Sequence, residues 1–217
     1  MKKIGSVLSI VVLFITSSCS SPEEQLMSTF FGAVQAGNDG AVSAVSLVPF
    51  DQAVSTWEIV EVGEEVAMTW ELPGVHEELL QVQSDLRMET ERNSFFLEDN
   101  ISLYDEFKPH QNDPDFEFKG ELAEFKAEFD RRLAQMGEFE KQIAILQDQM
   151  KELRSAARLS LSTQIDQNFV GDVFSKTVKL NVNDGTADRS YDFRISRYAL
   201  ANGSIAPPPR WIVSSIE

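Results

Sequence analysis

The chain has 217 residues, with 35 Asp and Glu against 19 Lys and Arg, a formal net charge of −16 and a single cysteine. A chain of this length can bury a core without disulfide bonds, and one cysteine excludes an intramolecular disulfide. The acidic excess and the lack of a basic tract argue against nucleic-acid binding, because phosphate backbones are bound through clustered Lys and Arg.

The first 18 residues have the layout of a secretory signal peptide. Lys2 and Lys3 provide a positive start, an apolar run extends from Ile4 to Ile15, and small residues follow. A run of about 12 residues is too short to cross a hydrocarbon core of about 30 Å as a helix. The sequence therefore predicts an export signal over residues 1–18.

The end of this segment reads Thr16-Ser17-Ser18-Cys19 and resembles the lipobox of bacterial lipoproteins, although Thr16 stands where Leu is usual. The resemblance implies that Cys19 is the lipid attachment site, carrying diacylglycerol and palmitate, and the first residue of the mature chain. It also implies a partner in membrane lipid. Ser20 favours the outer membrane, facing the periplasm, because the inner-membrane retention signal has Asp at that position. Residues 19–24 are predicted to be a short lipidated tether.

A first amphipathic helix is predicted from Pro22, because Leu26, Phe30 and Phe31 share one face. Ser21 has the character of an N-cap, with Glu24 three residues later in a capping box. Gly37-Asn38-Asp39-Gly40 ends this helix, and residues 41–47 can form a second, shorter one.

Residues 51–74 allow two interpretations. The stretch TWEIVEV is typical of a strand, whereas EEVAMTWEL is equally compatible with a helix that continues to Pro73-Gly74.

The middle of the chain predicts two long helices. Apolar residues recur at heptad spacing from Leu122 to Ala157, with one interruption at Arg132, and a rougher stripe marks a helix over residues 75–107. Between them, Pro109 ends the first helix, and Asp113 is the expected cap of the second. These features predict an antiparallel, coiled-coil-like hairpin over residues 75–165, with arms of about 50 Å and 70 Å. The longer arm must pack on the base of the protein or on a partner.

The C-terminal part predicts antiparallel strands. Val178, Leu180 and Val182 alternate before the turn Asn183-Asp184-Gly185, and Tyr191, Phe193 and Ile195 alternate after it. A last strand is expected in RWIVSSIE.

The two ends of the chain resemble the nuclear-transport-factor-2-like superfamily. The matching stretches are Pro22-Glu23-Glu24, Phe30-Phe31-Gly32-Ala33, the glycine turn to Ala41, and Arg210-Trp211-Ile212-Val213. The resemblance implies an α+β fold: N-terminal helices and a C-terminal antiparallel sheet form a cone-like base from residues 25–74 and 166–217, with the hairpin inserted in the middle. The pocket of such a cone would be lined by Phe30, Phe31, Trp57 and Trp211.

Catalytic and metal signatures are lacking in the sequence. His76 and His110 are isolated from other soft ligands, and there is no nucleophile elbow or phosphate loop. We therefore expect no metal, no cofactor and no enzymatic activity.

These features predict a non-catalytic, lipid-anchored cell-envelope protein whose hairpin mediates contact with a protein partner or self-association. The alternative is a small-molecule binding protein that uses the apolar pocket of the base. An enzyme on the same cone is a third hypothesis.

Overall fold

The computed structural model describes residues 20–217, which form five α-helices and five strands. The helices are α1 (Pro22–Gln35), α2 (Asp39–Ser43), α3 (Leu72–Asp99), α4 (Ile101–Phe107) and α5 (Glu121–Leu161). The strands are β1 (Thr56–Val62), β2 (Val66–Thr69), β3 (Val170–Asn183), β4 (Asp188–Ala201) and β5 (Ile212–Ile216). The predicted α+β class is confirmed.

Helix α1 begins where the sequence places it. The backbone N–H of Glu24 donates to the Ser21 hydroxyl at 3.2 Å, and Pro22 occupies the first helical position. Residues 22–24, which the prediction placed both in this helix and in the tether, are therefore helical. Helix α2 covers only residues 39–43 of the described chain and is thus shorter and earlier than the expected helix at 41–47.

Residues 51–74 contain strands, so the helical interpretation of EEVAMTWEL was wrong. Both β1 and β2 pair antiparallel with β3, as in Trp57↔Val182 and Met68↔Val173. Pairing with a strand more than 100 residues later cannot be read from local periodicity. Pro73 lies in the first turn of α3, where its missing N–H costs nothing, instead of ending a helix.

The long β3–β4 hairpin is the centre of the sheet. Its register runs without a shift from Val170↔Ala201 to Asn183↔Asp188, and the order of the sheet is β1-β3-β4-β5, with β2 also on β3. The predicted strands and the turn at residues 183–185 are confirmed. So is the last strand, whose Val213 and Ile216 join the core.

The sheet carries an apolar cluster on each face. Because side chains alternate strictly along an unshifted hairpin, Val178 and Phe193 point to one face and Val173 and Tyr198 to the other. Helix α1 packs on the first face and α5, together with the start of α3, on the second. The sheet is thus enclosed between α1 and the long helices.

The long helices are shorter than predicted at their distal ends. The first breaks at Asn100 into α3 and α4, and the second begins at Glu121 after Gly120, not at Asp113. Asp113 instead accepts the backbone N–H of Asp115 at 3.1 Å in a local turn. At 1.5 Å per residue, α3 and α5 extend about 40 Å and 60 Å.

The last turns of α5 attach this helix to the sheet. The longer arm therefore packs, at this end, on the protein's own sheet. Ala157 and Leu161 lie in the cluster with Tyr198 and Leu200. Ser160, which is 1% exposed, accepts the N–H of Tyr198 at 3.1 Å and donates to the carbonyl of Arg210 at 2.6 Å. The C-terminal end of α5 is therefore fixed on the sheet.

Candidate interaction site

Helices α3, α4 and α5 form a side-by-side unit, which we call the helical arm. Contacts between α3 and α5 follow antiparallel order: Leu79 shares a cluster with Leu146 near the sheet, and Phe96 stacks on Phe125 further out, with ring centroids 5.2 Å apart. The heptad residues of α5 thus have an intramolecular partner in α3.

A charged group interrupts this apolar seam at its middle. Glu89 is 5% exposed, and its carboxylate lies 3.5 Å from Nη1 of Arg132 and 3.4 Å from Nη1 of Arg92. The Arg132 guanidinium also lies 4.7 Å from the ring centroid of Phe96. The single break in the heptad pattern is therefore an ion-paired arginine that meets a buried glutamate.

Glu128 completes this charged group. Its oxygens lie 2.7 Å from Nη2 of Arg131 and 2.8 Å from Nε of Arg132. The hydrogen bonds from Arg131 lower the pKa of Glu128 to about 2; desolvation opposes this shift, and the charges of both guanidinium groups add to it. Both carboxylates of the group are therefore matched by arginines.

The distal end of the arm has an aromatic core of its own, which we call the tip cluster. Phe107 is 1% exposed and contacts Phe125 and Phe129 at centroid distances of 5.7 Å and 5.3 Å. The other members come from the arm and its connecting loop: Phe96, Leu97, Leu103, Tyr104, Phe116, Phe118 and Leu122. All of them lie outside the two clusters that cover the sheet, so the tip is stabilised locally.

Apolar side chains are also exposed on the distal half of the arm. Phe95 is 64% and Ile101 is 56% exposed, and Met88 is 41% exposed one heptad before Phe95. Residues seven apart lie on the same side of a helix, so Met88 and Phe95 share the outward side of α3. A large exposed aromatic on a surface rich in charge marks a candidate contact point.

The residues predicted to line a pocket lie within or beside the cluster under α1. Phe30 and Phe31 are fully buried and pack against Phe193, and Trp57 stacks on Phe31 at 5.3 Å. Trp211 is half-buried, with Nζ of Lys176 4.5 Å from its ring centroid. The structure brings all four residues to one cluster, but there they fill space.

A cleft does open next to this cluster. It has a volume of about 550 Å³ and lies between α2 and residues 46–51, with Val42, Val48 and Phe50 among its lining residues. The Phe50 ring packs on Phe30 and Phe31. The cleft is therefore separated from the predicted pocket residues by one aromatic side chain.

The remaining residues considered as sites are Cys19 and the two histidines. Cys19 and the signal segment lie outside the described residues. His76 lies in the first turns of α3, and the ring of His110 stacks on Phe116 at 3.7 Å. Over residues 20–217 the structure contains no group of three or more His, Cys, Asp or Glu arranged to hold a metal ion.

Sequence reasoning missed Glu89. Glu89 is buried at the seam beside Thr90, whose hydroxyl lies 3.8 Å from Sδ of Met136 on α5. The spacing Leu86, Glu89, Asn93, Phe96 continues the stripe of α3 and could have shown this. The sequence did indicate part of the tip cluster, because Phe125 and Phe129 occupy heptad positions of α5.

Comparison of the chain with protein-family models, curated proteins and solved structures found no match. None of the helices formed by the described residues has the length and apolar character needed to span a bilayer.

Proposed function

We propose that this protein is a lipid-anchored cell-envelope protein of non-catalytic type, whose helical arm contacts another protein or a second copy of itself. The observation that carries the proposal is the distal arm: it has its own aromatic core, and it exposes Phe95 and Ile101 away from the sheet. An arm that served only to cover the sheet would not need either feature.

The proposed relationship to the nuclear-transport-factor-2-like superfamily fits this organisation. Helix α1, the β3–β4 hairpin and β5 would form the cone-like base, and the arm would be an insertion between β2 and β3. Such an insertion would account for the second covered face of the sheet, because α1 occupies only one.

The anchor is proposed at Cys19. Only Ser20 and Ser21 separate it from the first turn of α1, so an acyl chain on Cys19 would hold the folded domain close to the bilayer. Replacement of Cys19 by Ser and labelling with a fatty-acid probe tests this. Loss of the label supports the anchor, and a label that persists in the variant places it elsewhere.

The proposed contact through the helical arm is tested by site-specific photo-crosslinking in the native envelope. A photoreactive residue at position 95 is compared with one at position 77. Both positions lie on the same side of α3, five helical turns apart, and Glu77 is exposed near the sheet. We expect one discrete crosslinked product at position 95 and none at 77.

Two variants extend this test. Phe95→Ser with Ile101→Ser is expected to remove the contact without changing the fold, because both side chains are largely exposed. If the chain sediments as a strict monomer and crosslinks equally from positions 77 and 95, the proposal is wrong.

A second candidate function is the binding of a small apolar molecule in the cleft beside α2. The observation in its favour is the cleft volume of about 550 Å³ with valine and phenylalanine in its wall. A thermal-shift screen of apolar ligands tests it: a ligand that stabilises the wild type but not Ser43→Trp, which fills the cleft, supports binding.

A further inference from the structure

The basic residues of this acidic protein are unevenly distributed. Between residues 20 and 86 there are twelve Asp or Glu and no Lys or Arg. Further along the chain many cations are held in ion pairs, such as Arg131 with Glu128 and Arg197 with Glu65. A site for an anion must therefore use Lys or Arg side chains that are not held in such ion pairs.

Four such side chains meet at the C-terminal end of α5. Lys151, Arg154, Arg158 and Arg210 have no carboxylate oxygen within 4.0 Å among the residues that the structure describes. The first three are spaced i, i+3 and i+7 on one helix, so they share a face. Arg210 joins them from the segment between β4 and β5.

Arg210 is held in place by the backbone around it. Its Nε donates to the carbonyl of Leu159 at 2.9 Å, and its Nη2 donates to the carbonyl of Ala44 at 3.0 Å. These bonds orient the guanidinium between α2 and α5. A fixed guanidinium loses little conformational entropy when it binds a ligand.

These four side chains line two adjoining clefts, which we call the basic cleft. One has a volume of about 290 Å³ and the other about 380 Å³, and they share Ser155 and Arg158. Neither has an Asp or Glu in its lining, although the chain has 35 of them. Ser155 and Ser162 add hydroxyl groups to the walls, whereas the hydroxyl of Ser43, which also lines them, donates to the carbonyl of Gly40 at 3.1 Å.

We propose that the basic cleft binds a single phosphate group of a small ligand or lipid head group. Guanidinium groups match the oxygen geometry of phosphate, and hydroxyl groups donate to the oxygens that remain. Asp148 and Glu152 line an adjoining cleft with Lys151, so an extended polyanion would meet their carboxylates, whereas a single phosphate can stay beside Arg158 and Arg210. This inference goes beyond the proposed function, which assigns no ligand to this end of the arm.

The position of the cleft favours a phospholipid head group as the source of the phosphate. Arg210 also lines a neighbouring shallow cleft with Pro22 and Gln25, in the first turn of α1. Three residues of extended chain span about 10 Å, so an acylated Cys19 would hold this end of the molecule near the head groups. Only the choice of source rests on the proposed anchor.

Chemical modification of Lys151 tests the proposal on the intact chain. The amine of Lys151 is acetylated and the modification is quantified by mass spectrometry, with Lys141, exposed on the same helix, as the internal control. In solution the probe is glycerol 3-phosphate, compared with chloride at equal ionic strength. In nanodiscs the comparison is phosphatidylglycerol against a purely neutral lipid.

We expect Lys151, but not Lys141, to be protected by glycerol 3-phosphate or by phosphatidylglycerol. Protection in solution identifies a site for free phosphate compounds as well, and protection only in the anionic nanodiscs identifies a head-group site. Arg158→Gln is expected to raise the ligand concentration for half-protection about tenfold, since a charged hydrogen bond is lost. Arg87→Gln, an exposed arginine on α3, is the matched control and is expected to change nothing.

The proposal is overturned if neither probe protects Lys151, or if Lys141 is protected to the same degree. A failure of the Cys19 anchor is recognised separately, by the loss of fatty-acid labelling and of nanodisc insertion. In that case the titration with glycerol 3-phosphate still decides whether the basic cleft binds phosphate.

Discussion

Glu23 in the first turn of α1 forms a buried ion pair with Lys176 of β3. The side chains are 8% and 12% exposed, and the Lys176 ammonium also lies over the ring of Trp211. Burial opposes the ionisation of Glu23, but hydrogen bonds from Lys176, its own backbone N–H and Ser21, with the Lys176 charge, lower its pKa overall. The pair therefore joins the start of α1 to the sheet.

We expect Lys176→Met to destabilise the protein by about 3 kcal/mol, because it leaves the carboxylate of Glu23 buried without its cation. The double variant Glu23→Gln with Lys176→Met removes both charges and is expected to recover most of that loss. Urea denaturation at neutral pH measures both variants. Equal stability of the single and double variants would contradict a coupled pair.

The hydroxyl of Ser160 makes a second link, between α5 and the sheet. We expect Ser160→Ala to cost about 2 kcal/mol, because the N–H of Tyr198 and the carbonyl of Arg210 lose their shared partner in a buried site. Ser155→Ala, one turn and a half earlier on the same helix, is the control and is expected to stay within about 0.5 kcal/mol of the wild type. A similar loss in both variants would indicate that serine removal acts through the helix itself.

Two glycines are expected to respond in opposite directions to replacement by alanine. At Gly171 the backbone has φ of 146°, and a Cβ would lie 2.2 Å from the carbonyl oxygen of Ala199 on the paired strand. Gly171→Ala is therefore expected to disturb the β3–β4 pairing and to cost about 3 kcal/mol. At Gly137, inside α5, a Cβ meets nothing within 4 Å.

Gly137→Ala is expected to raise stability by about 1 kcal/mol, because alanine favours the helix and restricts the unfolded chain. Thermal unfolding of the two variants beside the wild type measures both effects. A stable Gly171→Ala variant would show that the strands can separate locally without cost.

Strand β3 could be predicted from the sequence, but the start of α5 could not. The alternation of Val178, Leu180 and Val182 was sufficient to identify β3, because one face of that stretch is buried against α1. The cap at Asp113 was wrong because the phenylalanines that follow it pack outside a helix, Phe118 on Phe107 and Phe116 on Phe118. The helix starts after Gly120, whose φ of 56° suits a glycine. The packing of these phenylalanines therefore outweighed the local preference of Asp113 for a helix N-terminus.

The sites were harder to predict than the elements. Phe30 and Phe31 were expected in a pocket, but residue type does not show whether an aromatic lines a cavity or fills it. The basic cleft depends on Arg210, which is more than 50 residues from Lys151 in the chain and reaches it only through the fold. The spacing of Lys151, Arg154 and Arg158 was the one signal that the sequence contained.

The turn between β3 and β4 predicts a specific response to acid. Hydrogen bonds from the Thr186 hydroxyl, and from the backbone N–H groups of Ala187 and Thr186, lower the pKa of Asp184 to about 2 from its usual 3.8. A carboxyl whose pKa is lower in the folded state stabilises the fold above its unfolded pKa. This contribution is therefore complete above about pH 4 and is lost as the pH falls towards 2.

We expect Asp184→Asn to lower stability at neutral pH and to lose less stability than the wild type between pH 4 and pH 2. Thr186→Val removes the strongest of the hydrogen bonds and is expected to give an intermediate response. Urea midpoints at a series of pH values provide the comparison. Parallel curves for the wild type and Asp184→Asn would mean that the Asp184 pKa is not lowered by folding.

The tip cluster predicts that the distal arm opens independently of the sheet. Phe107 is 1% exposed and sits among Leu122, Phe125 and Phe129, so Phe107→Ala is expected to remove about 3 kcal/mol of local packing. Because these residues belong to a cluster separate from both faces of the sheet, the loss is confined to the tip. Hydrogen–deuterium exchange is expected to speed up in α4 and in the first turns of α5, with β3 and β4 unchanged.

The exposed neighbour Phe95 provides the control for this experiment. Phe95→Ala removes the same type of side chain from a position that is 64% exposed. It is expected to leave exchange at the tip almost unaltered. If Phe107→Ala instead accelerates exchange in the β3–β4 hairpin as much as in α4, the arm and the sheet unfold as one cooperative unit, because loss of the tip then propagates through α5 to Ser160 and Tyr198.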